Sequence, residues 1–307
     1  MPAASVIMPC YNAAKFVRQS VAAILRQTFE DLELIVVDDA STDNSVELLR
    51  DMASRDARIR LFVHGGNLGV SRSRNDALRA ARGEYIAFCD ADDVWKPEKL
   101  KFQIGLLSRH PSYDLAYCDS EIIDETGAPT GQLFGGQFPP PKNPSGDLFE
   151  ALTITNFINT QTVLIRRASL GDHLFFDEDI RCGEDWWFWI RFSRNHRFLY
   201  ETRPLAEYRV HPQNTIFAKK RGFRIDRWKV CKRNLRAHTD MPVRLQALLW
   251  YYMGMELSFL GRRRLARKFL GHALRLGLNG GSSLRRLMTI SVRWGVECCN
   301  GFTLRHQ

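Results

Sequence analysis

The sequence predicts an α/β protein, with a mostly parallel, doubly wound central sheet, flanking helices and a basic helical C-terminal region. Three observations predict it. Short apolar runs alternate with helix-length amphipathic segments through the first half of the chain, the pattern of βαβ units. Polar and acidic residues follow several of those runs directly, where the strand ends of an open α/β sheet bind ligands. The charge also divides: residues 218–307 hold 20 Lys or Arg against 4 Asp or Glu, a net +16, while the 307-residue chain as a whole is +10. The expected domains are therefore 1–217 and 218–307.

Each element follows from its local pattern. Val6–Pro9 is a strand, and Ala14–Arg26 a helix. Leu32–Val37 (Leu-Glu-Leu-Ile-Val-Val) is a strand. Asn44–Ala53 is a helix with Ser41, Thr42 and Asp43 available as N-cap. Ile59–Val63 is a strand, Gly69–Ala81 a helix, and Tyr85–Cys89 a buried strand opened by Gly83. Lys96–Ser108 is a helix and Asp114–Cys118 a strand. Gly, Pro and Asn dominate 127–146, which predicts a long mobile loop over 120–156, and such loops are usually functional. Thr160–Arg166, Arg197–Tyr200 and Leu205–Val210 have strand character, and Trp186–Arg194 is a helix. From Arg221 onward the pattern is helical only, with Leu265, Phe269, Leu270, Ala273 and Leu274 forming one apolar stripe.

Composition excludes several classes. Apolar content of 45% and charged content of 25% are those of a globular protein. The N-terminus lacks the basic start of a secretory signal. The longest apolar window, Leu245–Leu260, carries Gln246 and Glu256 and is too short to span a bilayer. Seven cysteines lie scattered without CxxC or zinc spacing, which fits a reducing cytoplasm. The basic tail calls for a polyanionic partner.

Asp90-Ala91-Asp92-Asp93 follows the strand Tyr85–Cys89. Carboxylates crowded at a strand end repel one another unless a cation neutralises them. Hard oxygen ligands suit Mg²⁺ or Mn²⁺, ions that share their coordination with substrate phosphates. The same residues alone would also cap the next helix. Met8-Pro9-Cys10-Tyr11-Asn12 and Asp38-Asp39-Ala40-Ser41-Thr42-Asp43 end the first two strands. A carboxylate there can accept the imide N–H of a uracil, or simply favour a helix N-terminus. No G-x-G-x-x-G follows the first strand, and no Walker sequence occurs.

Taken in order, Val6-Ile7-Met8-Pro9-Cys10-Tyr11-Asn12, Val37-Asp38-Asp39-Ala40-Ser41-Thr42-Asp43, Asn67-Leu68-Gly69, Ser73-Arg74-Asn75, Gly83-Glu84-Tyr85-Ile86 and Asp90-Ala91-Asp92-Asp93 closely resemble the family 2 glycosyltransferases with the GT-A fold. The resemblance covers about residues 4–215. It implies inverting transfer of a sugar from a nucleotide diphosphate donor, a UDP-sugar, with Mn²⁺ or Mg²⁺. By position, Asp39 is similar to the uracil-binding aspartate, with Asp38 taking that role if the register shifts by one. Pro9 and Tyr11 would line the base, and Asn12, Asn67, Arg74 and Ala91 would complete the nucleotide site. Asp90 resembles the ribose-side acid and Asp92 the metal ligand, with Asp93 as substitute.

Further on, Gly183-Glu184-Asp185-Trp186-Trp187-Phe188-Trp189 resembles the segment that carries the catalytic base. Asp185 would be that base beside Glu184. Trp186, Trp187 and Trp189 would stack on an acceptor sugar or fill the core. Tyr208-Arg209-Val210-His211 resembles the family's closing segment, in which His211 would join the metal or diphosphate site. The resemblance implies a glycan or lipid-linked glycan acceptor in surface polysaccharide assembly, in the cytoplasm, on the inner face of the membrane. The C-terminal helices would rest on an anionic membrane surface or expose a solvated basic face. Two alternatives are a nucleotidyltransferase and a nucleic-acid-binding protein acting through the basic tail. The first lacks a Gly-rich triphosphate loop, and no recognised nucleic-acid motif supports the second.

Overall fold

A computed structural model describes residues 1–171, 175–212, 214 and 220–279. The chain divides into two compact units, residues 1–220 and 221–307. The expected boundary at 217/218 falls among residues 215–219, outside the described residues.

The first unit opens with β1 (Ala4–Cys10), α1 (Val17–Leu25), β2 (Leu32–Asp38), α2 (Ser45–Arg55), β3 (Ile59–Val63), α3 (Val70–Ala80) and β4 (Tyr85–Phe88). The two-residue β5 (Val94–Trp95), α4 (Lys99–Arg109) and β6 (Leu115–Ile123) follow. Strands β1, β2, β3 and β4 are all parallel neighbours, with Cys10 opposite Asp38 and Ile7 opposite Phe88. Their C-terminal ends therefore share one edge. Every residue of β1 and β2 is buried, as expected of strands covered on both faces. Because side chains alternate, Val6, Met8, Leu34 and Val36 pack with Val17, Val21 and Ile24 of α1 and with Leu100 and Leu107 of α4.

The opposite face is aromatic. Phe88 meets Phe176 edge-on at 5.5 Å and Trp189 at 6.4 Å, and Phe176 stacks on Phe188 at 4.4 Å. These rings belong to or face α7 (Glu184–Ser193). Trp186, Trp187 and Trp189 are all buried, so the aromatic run is core and not a sugar platform.

Beyond β4 the sheet becomes mixed. Its order is β3-β2-β1-β4-β8-β6-β9-β5, where β8 is Leu164–Arg166 and β9 is Phe198–Arg209, and β7 (Pro129–Leu133) pairs with β6. β8 is antiparallel to both neighbours, while the long β6–β9 ladder is parallel. The segment expected to be one long loop holds β7 and the short helices α5 (Phe134–Gln137) and α6 (Phe149–Ile154). The two strands expected at 197–210 are one. β9 runs through Pro204 because the β6–β9 register shifts around Asp119, which absorbs the irregularity.

The second unit holds α8 (Lys220–Ala237) from Arg221 onward, α9 (Val243–Phe259) and α10 (Arg263–Asn279). Gly254 of α9 lets α10 approach closely: a Cβ there would lie 2.7 Å from Leu270 Cγ. The apolar face of α10 runs through Ala266 and Ala273, at 3% and 0% exposure, with Phe269 and Leu270 half-buried. Leu265 and Leu274, expected on that stripe, are exposed at its flanks. Among the described residues no helix is long and apolar enough to cross a membrane. Cys10, Cys89, Cys118 and Cys231 are buried free thiols, Cys182 is buried, and Cys298 and Cys299 lie outside the described residues.

Candidate active site

The edge shared by β1, β2 and β4 gathers the first three motifs. Asn12 adopts φ 50°, and its amide oxygen accepts from Thr42 N at 2.8 Å. Asp38 is fully buried and takes both donors of Ser41, at 2.8 and 2.6 Å. Asp39 is 3% exposed and closes the loop after β3: it accepts from Leu68 N at 2.8 Å, Gly69 N at 2.7 Å and the His64 ring at 2.8 Å. Tyr11 stands half-exposed above this edge, Asn67 is exposed, and Pro9 is buried in β1. Asp39 thus holds the loop that carries Asn67, a structural task that its motif does not reveal.

Arg74 is the centre of the site. It lies on α3 and is 3% exposed, yet its guanidinium donates to Asp90 at 2.8 Å and to Glu184 at 2.7 Å. The same group sits 5.3 Å over the Phe176 ring. Its neighbour Asn75 donates to the Phe176 carbonyl at 2.9 Å and accepts from Phe176 N at 2.8 Å. Helix α3 therefore joins the acidic motif after β4 to the start of α7, residues about a hundred positions apart in the chain. Both acidic charges stabilise the guanidinium and push its pKa up against the effect of burial.

Glu184 and Asp185 form the first turn of α7, which opens on Gly183 at φ 84°. Burial pushes Glu184 up to about 7, with the Arg74 charge opposing and Asp185 adding to the rise. Burial also raises Asp185, opposed by Arg74 and by hydrogen bonds from Trp186 N, Thr160 and Asn156. Those donors lie at 2.7, 3.1 and 3.1 Å.

On the other side of the acidic motif, Asp92 Oδ2 lies 2.9 Å from His211 Nε2. Asp92 is partly open, while His211 is buried against the Phe16 ring at 4.9 Å. Asp93 faces inward: it accepts from Arg209 N at 2.8 Å, and Arg209 Nε reaches the Asp92 carbonyl at 2.7 Å. Asp93 is thus a strand anchor and not an alternative to Asp92. Ala91 is buried, and its carbonyl accepts from Ser20 of α1 at 2.9 Å. Among the described residues no three His, Cys, Asp or Glu side chains converge as a metal cage.

The motifs did not point to Asn156 or Thr160, and Tyr208, though it opens the closing segment, carried no role of its own there. Tyr208, on β9, has its phenol pushed up by burial and by the charges of Asp93, Asp92, Asp90 and Asp185.

Comparison with known proteins agrees with this fold. The family model "Glycosyl transferase family 2" matches residues 5–172. An uncharacterized glycosyltransferase of Haemophilus influenzae is 32% identical over 219 residues, covering 70% of this chain and 67% of the relative. A putative teichuronic acid biosynthesis glycosyltransferase, TuaG of Bacillus subtilis, is 29% identical over 76% of this chain and 85% of its own length. Other relatives are longer: the match spans 29% of an uncharacterized glycosyltransferase of Rickettsia bellii. Among solved structures, S. aureus TarS 1–349 in complex with UDP-GlcNAc is 20% identical, with a TM-score of 0.64 over 92% of this chain and 83% of that chain. The mannosyltransferase PcManGT of Pyrobaculum calidifontis, in complex with GDP-Man and Mn²⁺, is 18% identical, with a TM-score of 0.59 over 96% of this chain and 81% of that one. Fold, ordered motifs and family match coincide, and the chain belongs to glycosyl transferase family 2.

Proposed function

We propose that this chain transfers a sugar, with inversion, from a nucleoside diphosphate donor, a UDP-sugar, to a hydroxyl of a glycan or lipid-linked glycan in surface polysaccharide assembly. The observation that carries this reading is the Arg74 bridge, which ties Asp90 of the donor-side motif to Glu184 beside Asp185. A candidate donor-side acid and a candidate base are thereby held in one site. TarS, solved with UDP-GlcNAc, and TuaG, named for teichuronic acid biosynthesis, support the donor class and the setting.

In this reading Asp185 takes the proton of the acceptor hydroxyl as that oxygen bonds to the anomeric carbon. The bond from the anomeric carbon to the diphosphate oxygen breaks, and its electron pair leaves with the nucleoside diphosphate. Asp39 or Asp38, Pro9, Tyr11, Asn12 and Asn67 would hold the nucleoside, with Asp90 towards the ribose and Arg74 fixing that carboxylate. Asp92 and His211 fit a divalent ion: a carboxylate and an imidazole suit Mn²⁺, and phosphate oxygens supply the remaining ligands. The buried Nδ1 of His211 also lacks a partner among the described residues. Such an ion, when bound, would stabilise charge on the departing diphosphate. PcManGT, solved with GDP-Man and Mn²⁺, supports a metal. The family match ends before Glu184, so the roles of Asp185 and His211 rest on geometry and motif.

Thermal-shift binding of UDP, GDP, CDP and TDP, each with Mn²⁺ or EDTA, tests the donor site. The expected result is a metal-dependent shift for UDP that Asp92→Ala loses. No shift with any nucleotide would overturn the reading. Salt-steep DNA binding without nucleotide-sugar turnover would instead favour the nucleic-acid alternative.

A further inference from the structure

We propose that Asn156 and Thr160 are positioning residues for Asp185: together they turn its carboxylate so that a single lone pair, on Oδ1, is open to an acceptor hydroxyl. This rests on the reading of Asp185 as the base.

An ionised carboxylate offers about four lone-pair positions. Three are filled here. Oδ2 accepts from Asn156 Nδ2 and from Thr160 Oγ1, both at 3.1 Å. Oδ1 accepts from Trp186 N at 2.7 Å. The two donors to Oδ2 come from a segment 25 and 29 residues away, so they fix the side chain against something other than its own helix. The direction of the Asn156 amide is set by its other end, since its oxygen accepts from Ile158 N at 3.2 Å.

The segment itself is anchored deep in the fold. Asn159 caps the 3₁₀ turn Thr160–Thr162 and donates to Ser120 of β6 at 3.2 Å. Thr162 Oγ1 donates to the Asn159 carbonyl at 2.6 Å. The Thr162 carbonyl accepts from Gln103 of α4 at 2.7 Å, and Gln103 accepts from the buried Lys99 at 2.7 Å. Both Gln103 and Lys99 are fully buried. The base is thus referenced to the α4–β6 side of the sheet, while Arg74 references the donor-side acid to α3. A general base must lie within hydrogen-bond reach of its proton in a defined direction, and a partly buried, doubly fixed carboxylate meets that condition before the acceptor arrives.

The titratable groups facing Asp185 are Arg74 from α3, Glu184 on its own helix and the neutral phenol of Tyr208 from β9. Removing either neutral donor leaves these in place and takes a hydrogen bond from the ionised form, so the carboxyl titrates higher.

The test reads the Asp185 carboxyl carbon by NMR against pH in full-length protein with ¹³Cγ-labelled aspartate, assigned by its loss in Asp185→Asn. Thr160→Val and Asn156→Ala are each expected to raise the midpoint by about one pH unit, the size of one charge-assisted hydrogen bond. Thr160→Ser is expected to restore the wild-type midpoint. Slow hydrolysis of UDP-GlcNAc with Mn²⁺ serves as the rate readout, its acid limb moving up in parallel with the KM unchanged. Unchanged midpoints in both folded variants would overturn the proposal. Hydrolysis that survives Asp185→Asn would instead overturn the base reading while leaving the orienting bonds intact, so the two failures are distinguishable.

Discussion

At the scale of the residue, Arg74 shows how a buried cation organises a site. Two carboxylates that would repel each other are held by one planar fork, whose bidentate reach a lysine does not match. Taking Arg74 away leaves Asp90 and Glu184 without their cation. The expected cost of Arg74→Ala is about 3–5 kcal/mol. It has a definite pH dependence. Without the guanidinium the buried Glu184 carboxyl loses the charge that opposes its rise and titrates further above its unfolded value, so the folded state binds more protons than the unfolded one, and stability falls as pH rises from the ordinary carboxylate range towards neutrality. Urea unfolding of Arg74→Ala at pH 5 and pH 8 is expected to show the larger loss at pH 8. Equal losses at both would mean that the guanidinium contributes packing alone. The same residue marks how far sequence reasoning reaches. The place of Arg74 in Ser73-Arg74-Asn75 suggested a nucleotide-side residue, but its bond to Glu184 joins positions 110 apart, which no local pattern encodes. Asn156 and Thr160 were missed for the same reason. The motif around Asp39 suggested a binding residue, and nothing in it suggested the clamp on the loop after β3.

At the scale of the element, strands with a single physical cause were legible. Leu32–Asp38 is apolar nearly throughout because it is buried on both faces, and Ile59–Val63 matches its expected span. Elements whose existence depends on a neighbour were not. β7 lies in a Gly- and Pro-rich segment and pairs only with β6, and β9 continues across Pro204 only because β6 accommodates the shift. Helix α4 begins at Lys99 and not at Lys96, because Val94–Trp95 first pair with β9 and Lys96 N bonds Leu205 O at 3.0 Å. Gly83, just before β4, offers a test of how tightly the parallel half is built. A Cβ there would lie 2.5 Å from Ser5 N and 2.7 Å from the Ala4 carbonyl carbon, both backbone atoms of β1. Gly83→Ala is therefore expected to cost about 1–3 kcal/mol by forcing β1 and β4 apart at their starts. A shift in the urea midpoint without a change in slope would confirm it. An unchanged midpoint would show that the turn yields without strain.

At the scale of the whole molecule, the charge split sets the expectation. Arg264, Arg267, Lys268 and Arg275 of α10 are exposed and make no ion pair among the described residues. Leu265 and Leu274, exposed beside them, add apolar surface. Such a helix face suits an anionic bilayer, where each cation near the surface contributes about 1 kcal/mol. Sedimentation with phosphatidylglycerol vesicles is expected to capture the protein, phosphatidylcholine vesicles are not, and Arg267→Glu with Lys268→Glu is expected to abolish capture. Capture by both lipids alike would rule out the electrostatic surface.

The placement of β9 also bears on how the molecule comes into being. Asp93 and Arg209 are 116 residues apart in the chain, and their bond fastens the acidic motif to a strand that leaves the ribosome much later. The parallel half can pair as soon as β4 emerges. Until β9 docks, however, β6 is left with an open edge of the kind that attracts other nascent chains. Loop closure over so long a span is slow to nucleate. The last β-strand therefore both completes the site and shields its sheet, and a chain interrupted before residue 209 is expected to aggregate rather than persist as an inactive domain.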